Sequence, residues 1–526
     1  MSDPPQHGPR ATQSWRESEI SGPGSALTAH VRWGVYLLLI AIAVGNMSGR
    51  LLSVNSVDKV QLEAARIKDR LAGTKKRLSE EGVSGEQLSS RMIVEEARLR
   101  NELKLQRPFL SANDRSRWLT IRSLVERGTY EIDAVIGEPT WDTIDMVQHR
   151  GRDGELHLYS SKPPLLATIL AGEYWLINRF SGATLRDNPY VIGRVMLFTV
   201  NILPLILMYA LLALLVERFG TTDWGRIFVM AAATMGTLLN TFAVVLNNHL
   251  IAAVSATITL YLLVRVLYDD ERRWRYFFLA GLAAAFTAAN ELPSATLLAL
   301  TGLILLWVAP RQTLIAFVPG VAIVAAAFFG TNWIAHERIS PPYAFRSDSD
   351  PADNWYAYTY NVNGREVKSY WLDRQGIDRG EPSKAVYALH SLIGHHGIFS
   401  LTPIWLLSVA GALMWLASPD QLRRELALLV LSVSIICVIF FIGMRPLEDR
   451  NYGGMTSGFR WVFWCAPLWL VMMIPAADRL ACSTKGQVLA AVLLSFSVLS
   501  VSYPTWNPWT QPWLYNWFVT CGMPGF

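Results

Sequence analysis

Residues 190–216 read YVIGRVMLFTVNILPLILMYALLALLV and contain one charged side chain, Arg194, in 27 positions. Such an apolar run is long enough to cross the hydrocarbon layer of a bilayer, which is about 30 Å thick. Similar runs recur along the 526-residue chain, in which apolar residues fill 52% of the positions. Charged residues make up 17% of the chain, against roughly 25% in soluble globular proteins. The sequence therefore predicts a polytopic membrane protein.

The composition also excludes other classes of protein. The net charge of +5 is small and spread through the loops, so we expect no nucleic-acid partner. The cysteines are too few and too scattered for a disulfide framework or for a metal site with ligand spacing. They are Cys437, Cys465, Cys482 and Cys521.

We predict an all-α chain with about eleven transmembrane helices. The first lies within 31–52, helices 2–7 occupy 190–335, and helices 8–11 occupy 397–503. Residues 1–30 form a polar segment, which we expect to be a disordered cytoplasmic tail and not a cleaved signal peptide. The approximate spans are 33–52, 190–216, 224–246, 249–268, 275–290, 293–309, 312–335, 397–417, 425–443, 461–477 and 486–503.

Basic residues in the loops decide the orientation. Arg32 precedes the first span, which favours a cytoplasmic amino terminus. Alternating the sides then places Arg265, Arg311, Arg423 and Lys485 in the cytoplasm, as the positive-inside rule requires. The long polar segments fall on the opposite face, and function should be sought there. They are 53–189, 336–396, 444–460 and the outer tail 504–526.

The first outer segment is expected to contain three helical parts. Residues 57–107 are strongly charged and suit an exposed helical hairpin, with a partner-binding coiled coil as the alternative. Residues 113–126 carry apolar positions on one helical face and suit a helix lying along the membrane surface. Residues 161–180 would flip every later loop if they crossed the bilayer, so we expect a helix embedded shallowly on the outer side.

Two ionisable residues of this segment are candidates for chemistry. Asp114 stands at the start of the surface helix, where it either caps the helix or acts as a catalytic acid or base. Lys162 follows Tyr159 and precedes two prolines that open the next helix. A lysine at a helix start opposes the helix dipole, so an anionic group is expected nearby; a snorkelling lysine is the alternative.

A third candidate follows the ninth span. Tyr452 precedes the glycine-rich stretch Gly453–Gly458, and Arg460 then enters the next span at its outer end. Glycines allow tight turns close to a ligand, and an arginine fork suits a phosphate. A solvated loop that ends in a snorkelling arginine remains the alternative.

Polar residues at other outer turns complete the candidates. His390, His395 and His396 could bind a metal, but interfacial hydrogen bonding is the alternative, and no carboxylate partner can be read from the sequence. Asn248 and His249 lie at one outer turn between spans, and Glu291 lies at another. An acid so close to two apolar runs needs a functional reason, which makes Glu291 the stronger of these candidates.

Read together, these motifs resemble a known family. They are Asp114, Arg117-Trp118, Ile121, Arg122, Gly128-Thr129-Tyr130, Lys162-Pro163-Pro164-Leu165 and the Gly-Gly-x-x-x-Gly-x-Arg pattern of Gly453–Arg460. Their order is similar to that in GT-C membrane glycosyltransferases, specifically the bacterial relatives of protein O-mannosyltransferases and lipid A aminoarabinose transferases. The chain departs from the family at Asn113-Asp114, where Asp-Glu is usual. It departs again at Asn248 and His249, where many members carry a second acid.

The resemblance implies a GT-C-like fold with juxtamembrane helices in the long first outer loop. It also implies sugar transfer, with inversion, from a polyprenyl-phosphate-linked donor at the outer, periplasmic face of the cytoplasmic membrane. Asp114 would then be the general base, and Lys162, Arg460 and Arg117 would bind the donor phosphate. Substrate contacts would come from Tyr159, Asn248, His249, Glu291, His395, His396 and Tyr452. Membrane lipids are the other expected partners, and the acceptor and any divalent metal are left open.

Two rival functions use the same features differently. In a transporter or flippase, the same ionisable residues would line a substrate path, although the two halves show no matched inverted repeat. In a non-catalytic membrane assembly protein, the charged segment 57–107 would recruit partners, and Asp114 would be dispensable.

Overall fold

The computed structural model describes residues 28–53, 59–102, 109–138, 141–346, 353–362 and 364–522. The chain is mostly helical, with little sheet. The expected cytoplasmic tail lies outside the described residues except for its last three positions, 28–30.

Within the described residues, seven helices are long and apolar enough to cross a membrane, which is compatible with a multi-pass membrane protein. They are Ala29–Ser53, Pro189–Phe219, Asn248–Tyr268, Pro310–His336, Gln421–Gly443, Arg460–Ala481 and Thr484–Ser502. An eighth span results if Asp223–Met235 and Leu238–Val244, which meet at a bend of 43°, are counted together. Each of these regions overlaps one of the predicted spans.

The other predicted spans are shorter helices. Residues 275–290 correspond to Trp274–Asn290, residues 293–309 to the apolar Leu292–Val308, and residues 397–417 to Ile398–Leu401 and Trp405–Leu416. The full count of about eleven spans stays a prediction. The helix Pro164–Ser181, which follows Lys162, is not one of the seven long apolar helices.

The helix Asn248–Tyr268 is the most enclosed of the membrane helices. Its most apolar window is 83% buried, because apolar residues occur all around it and every face packs on a neighbour. Close approach elsewhere depends on glycine: a Cβ on Gly281 would lie 2.2 Å from the carbonyl oxygen of Phe317, and one on Gly411 would lie 2.0 Å from that of Met472. Small residues of this kind let membrane helices pack backbone to backbone.

The segment 53–189, which is predicted to lie on the outer side, begins with two charged helices. Lys59–Glu80 and Gly85–Glu102 pack on each other, and the turn between them uses Gly82 and Gly85 at positive φ. The remainder of the predicted hairpin, residues 57–58 and 103–107, lies outside the described residues.

A short helix then carries the candidate acid. We call Ala112–Arg127 the Asp114 helix; Ser111 caps its amino end and Gly128, at φ 75°, ends it. This helix is buried along residues 116–123, which is more than an amphipathic surface helix would be. The reason is that it packs on Pro164–Ser181, which covers the face that would otherwise meet lipid or water.

A β-hairpin connects these two helices. Strand Met146–Arg150 pairs antiparallel with strand Leu156–Ser160, and Met146 lies opposite Ser160. A second, smaller hairpin in the segment 336–396 joins Thr359–Val362 to Arg365–Lys368. The remaining α-helices are short: Asp133–Ile136, Lys384–Leu392 and Trp513–Thr520.

Candidate functional site

The first β-hairpin places a carboxylate beside Lys162. Because Met146 pairs with Ser160, the next residues outward, Asp145 and Ser161, also lie side by side, and the Ser161 amide donates to the carbonyl oxygen of Asp145 at 3.2 Å. Lys162 follows at once, and its Nζ lies 3.1 Å from Oδ2 of Asp145. The anionic group that we expect near Lys162 is therefore Asp145. No sequence motif singles out this residue.

Lys162 and Asp145 line a cavity of about 570 Å³, which residues at the ends of several apolar helices also line. Arg117, Arg460 and Glu291 line the same cavity. Its charged wall within the described residues consists of Arg115, Arg117, Lys162, Arg346, Arg445 and Arg460, together with Asp145, Glu291, Asp378 and Asp449. The cations outnumber the carboxylates, so the cavity favours an anionic ligand.

The cavity lining also contains apolar side chains. They are Leu165, Leu166, Leu292, Phe440 and Phe441, and Leu292 is 53% exposed at the surface of the molecule. These residues belong to the helix that follows Lys162 and to the ends of apolar helices. The cavity can therefore accommodate a ligand with a polar head and an apolar tail.

Burial and neighbouring cations act together on Lys162. Burial, together with the charges of Arg117 and Arg460, lowers the pKa of its ammonium group to about 8 against the attraction of Asp145. Burial also lowers the pKa of Arg117 to about 10, with repulsion from Arg460 adding to that effect. Three residues far apart in sequence thus bring positive charge to one place.

Arg117 is held by amide groups. Its Nη1 donates to Oδ1 of Asn113 at 2.6 Å, and its Nη2 donates to Oδ1 of Asn248 at 2.7 Å. Arg460 is held by a carbonyl and an imidazole: its Nε donates to the Gly453 carbonyl oxygen at 2.6 Å, and its Nη1 lies 3.1 Å from Nε2 of His249. The Arg460 guanidinium also stacks on the ring of Trp509, 4.9 Å from its centre.

Asp114 does not line this cavity. The residue is buried, with 1% of its surface exposed. Its Oδ1 accepts hydrogen bonds from the Leu246 amide at 3.0 Å and the Trp118 indole at 2.9 Å. Oδ2 accepts from the Leu110 amide at 3.3 Å. Burial raises the pKa of this carboxyl to about 7. These contacts join the Asp114 helix to the turn before Asn247 and favour a structural role; the catalytic role stays a prediction.

The remaining predicted site residues divide into two groups. Asn248, His249 and Glu291 line the cavity with the three cations. Tyr159 lies outside the cavity lining, stacked on His149 with ring centres 4.1 Å apart.

Tyr452, His395 and His396 form a separate buried cluster. The ring of His396 stacks on Tyr452 at 5.0 Å, and the two histidines are hydrogen-bonded through their Nδ1 atoms. Burial lowers the pKa of His395 to about 3, so its imidazole is neutral at ordinary pH. The described residues contain no group of three or more His, Cys, Asp or Glu side chains that could hold a metal ion. This leaves hydrogen bonding and packing as the roles that the geometry of the histidines supports.

Described residues of the segment 336–396 line part of the cavity, among them Arg346, Trp371 and Asp378. Arg346 donates to Oδ1 of Asp449 at 2.8 Å, and its guanidinium stacks on Trp371, 4.5 Å from the ring centre. Nδ2 of Asn451 donates to Asp378 at 2.7 Å. These contacts join the segment 336–396 to residues 444–460, the stretch that ends at Arg460. No sequence motif singles out Arg346, Trp371 or Asp378.

Comparison with protein-family models finds no match for this chain, and comparison with curated proteins finds no significant relative. The resemblance to GT-C glycosyltransferases therefore stays a prediction.

Proposed function

We propose that this protein is a membrane glycosyltransferase. It transfers a sugar, with inversion, from a polyprenyl-phosphate-linked donor to an acceptor at the outer face of the cytoplasmic membrane. The observation that carries the proposal is the meeting of Lys162, Arg117 and Arg460 with the carboxylate of Asp145 in one cavity whose lining also contains apolar side chains. A polyprenyl-phosphate sugar has the matching parts: an apolar tail, a phosphate and a polar sugar.

The cations would act on the phosphate. As the bond between the anomeric carbon and the phosphate oxygen breaks, the phosphate gains negative charge. Lys162, Arg117 and Arg460 then stabilise the transition state more than the bound donor, and only such a difference accelerates the chemical step. Their positions are fixed in advance by Asp145, Asn248 and His249, so little reorganisation is needed during the reaction.

The proton of the acceptor hydroxyl needs a base that faces the donor. Asp145 lines the cavity, and Lys162 engages its Oδ2; among the described residues, no hydrogen bond reaches its Oδ1. The acceptor oxygen would bond to the anomeric carbon, its proton would pass to Asp145, and polyprenyl phosphate would leave. We therefore propose Asp145 as the first candidate for the base and keep Asp114, which accepts three hydrogen bonds outside the cavity, as the second.

The test compares Asp145→Asn with Asp114→Asn in membranes supplied with radiolabelled polyprenyl-phosphate sugars. A general base contributes about 10²–10⁴-fold to the rate, so Asp145→Asn should lower kcat by that factor and leave the folded protein intact. Asp114→Asn should act chiefly through stability, so its transfer rate per folded molecule should stay close to that of the wild type.

The reverse pattern would return the role of base to Asp114. Absence of transfer by the wild type with every polyprenyl-phosphate sugar tried would overturn the proposed function and leave the transporter as the next hypothesis. Lys162→Ala is the matched test of phosphate binding, because it removes a cation of the cavity and leaves both candidate bases in place.

A further inference from the structure

The cations that line the cavity differ in whether a carboxylate is paired with them. Lys162 has a carboxylate partner in Asp145 at 3.1 Å. Neither Arg117 nor Arg460 has a carboxylate ion-pair partner among the described residues. Their hydrogen bonds go to amide, carbonyl and imidazole groups. An ionised group buried without an opposite charge is costly, so a site that keeps two such groups is built for an anion that supplies the missing charge.

Glu291 is connected to both arginines through hydrogen bonds. It is 5% exposed, and a single oxygen, Oε1, receives hydrogen bonds from Nδ2 of Asn248 at 2.7 Å and from Nδ1 of His249. On its other side, Asn248 accepts a hydrogen bond from Arg117 at Oδ1, and His249 contacts Arg460 through Nε2. One carboxylate therefore reaches both arginines, each through one intervening neutral side chain.

The donors and acceptors in this network fix its chemistry. A guanidinium can only donate, so Nε2 of His249 must accept from Arg460, and the imidazole proton must lie on Nδ1, where it is donated to Glu291. The Asn248 amide is oriented in the same way, since its NH₂ group faces Glu291 and its oxygen faces Arg117. Glu291 thus fixes the imidazole tautomer and the amide orientation that the two arginines require.

We propose that Glu291 is a positioning residue that aims Arg117 and Arg460 at a phosphate without neutralising them, and that this pair is matched to a dianionic phosphate monoester. This inference rests on the proposed glycosyltransferase function. The donor is a phosphodiester with one negative charge, whereas the polyprenyl phosphate that leaves is a monoester that carries up to two. Two guanidinium groups without a direct carboxylate partner therefore suit the leaving group better than the donor, and that difference lowers the barrier.

The experiment measures lipid binding and needs no turnover. Full-length protein in detergent is titrated with a polyprenyl monophosphate and, in parallel, with the uncharged polyprenol of equal length, and binding is followed by native mass spectrometry. The variants are Glu291→Leu, which removes the acceptor oxygen, and Glu291→Gln, which keeps one and is the matched control. Asn248→Leu removes the amide that connects Glu291 to Arg117 and leaves the connection through His249 to Arg460 in place.

Positioning and simple electrostatics predict opposite results. If Glu291 acted only through its charge, both Glu291 variants would bind the phosphate more tightly, since a repelling anion would be gone. Positioning predicts that Glu291→Leu binds polyprenyl phosphate about 10–100-fold more weakly, the loss expected when a charged group loses its hydrogen-bonded support. Glu291→Gln should stay within about threefold of the wild type, which is under 1 kcal/mol. Binding of polyprenol should not change.

Activity adds a second readout. Glu291→Leu should lower kcat more than it raises KM for the donor, because the second charge develops only in the transition state. Phosphate binding by Glu291→Leu at or above the wild-type affinity would overturn the inference, and Asn248→Leu, with an expected partial loss, decides the case if Glu291→Leu does not fold. A wild type that binds polyprenol as tightly as polyprenyl phosphate would instead overturn the proposed function itself.

Discussion

Replacement of Asp145 by Asn should move the pH range in which the protein binds phosphate. Asn has nearly the shape of Asp, so Lys162 keeps its place and loses only the opposite charge 3.1 Å away. The pKa of Lys162 is already lowered to about 8 by burial, and Asp145 is the main group that opposes this effect. Without Asp145, the lysine should lose its proton at a lower pH.

The size of the shift follows from the distance. Two unit charges 3.1 Å apart attract by about 5 kcal/mol at an effective dielectric of about 20. A shift of one pKa unit corresponds to about 1.36 kcal/mol. Even if water in the cavity screens three quarters of the attraction, the pKa of Lys162 falls by about one unit. It should therefore move from about 8 to about 7 or below.

The assay is the affinity for polyprenyl monophosphate between pH 6 and about 9.5, which spans both pKa values. Protonated Lys162 attracts the phosphate and neutral Lys162 does not, so affinity should fall as the pH rises through the pKa. Wild-type affinity should fall around pH 8, and that of Asp145→Asn about one unit lower. Lys162→Arg is the control, because an arginine keeps its proton and the fall should disappear. An unchanged midpoint in Asp145→Asn would refute the coupling of the two residues.

Two further predictions concern the other acid and the orientation of the chain. Because burial raises the pKa of Asp114 to about 7, the folded state binds more protons than the unfolded state from about pH 4 to that value, and the free energy of unfolding should fall as the pH rises through this range. Thermal unfolding in detergent should show this slope in the wild type and not in Asp114→Asn; equal slopes would contradict it. The native cysteines test the orientation, since Cys482 and Cys521 are exposed and are predicted on opposite sides. A membrane-impermeant maleimide applied to spheroplasts, which expose the outer face of the cytoplasmic membrane, should label Cys521 in a Cys482→Ser variant and should not label Cys482 in a Cys521→Ser variant; the opposite result would invert the topology.

The membrane helices could be located from the sequence because each long apolar run is continuous and ends at polar turns. Helix length was harder to predict. Residues 275–309 form two short helices that meet at Glu291, and the apolar composition alone does not show how far each one reaches into a bilayer. The short β-hairpin was missed, although Met146–Arg150 and Leu156–Ser160 are its strands and lie directly before Lys162.

Only part of the candidate site can be predicted from the sequence, because some of its residues meet through tertiary contacts alone. Lys162, Arg117 and Arg460 stand in recognisable motifs, and the structure brings them to one cavity. Asp145 stands in none, and its role depends on strand register, which a sequence without a recognised hairpin does not reveal. Asp114 has a conspicuous position in the sequence, but the direction of its carboxylate depends on contacts with Leu110 and Leu246 that only the fold supplies.

The guanidinium groups of Arg117 and Arg460 also affect how the protein should be handled. If the proposed phosphate site is right, the small oxyanions of phosphate and sulfate buffers should compete with the lipid phosphate, so zwitterionic buffers are preferable in these assays. Acidic phospholipids present the same headgroup chemistry next to an acyl tail. A preparation extracted from cells is therefore expected to retain such lipids, and delipidation before titration decides whether a measured affinity describes an empty protein or an exchange reaction.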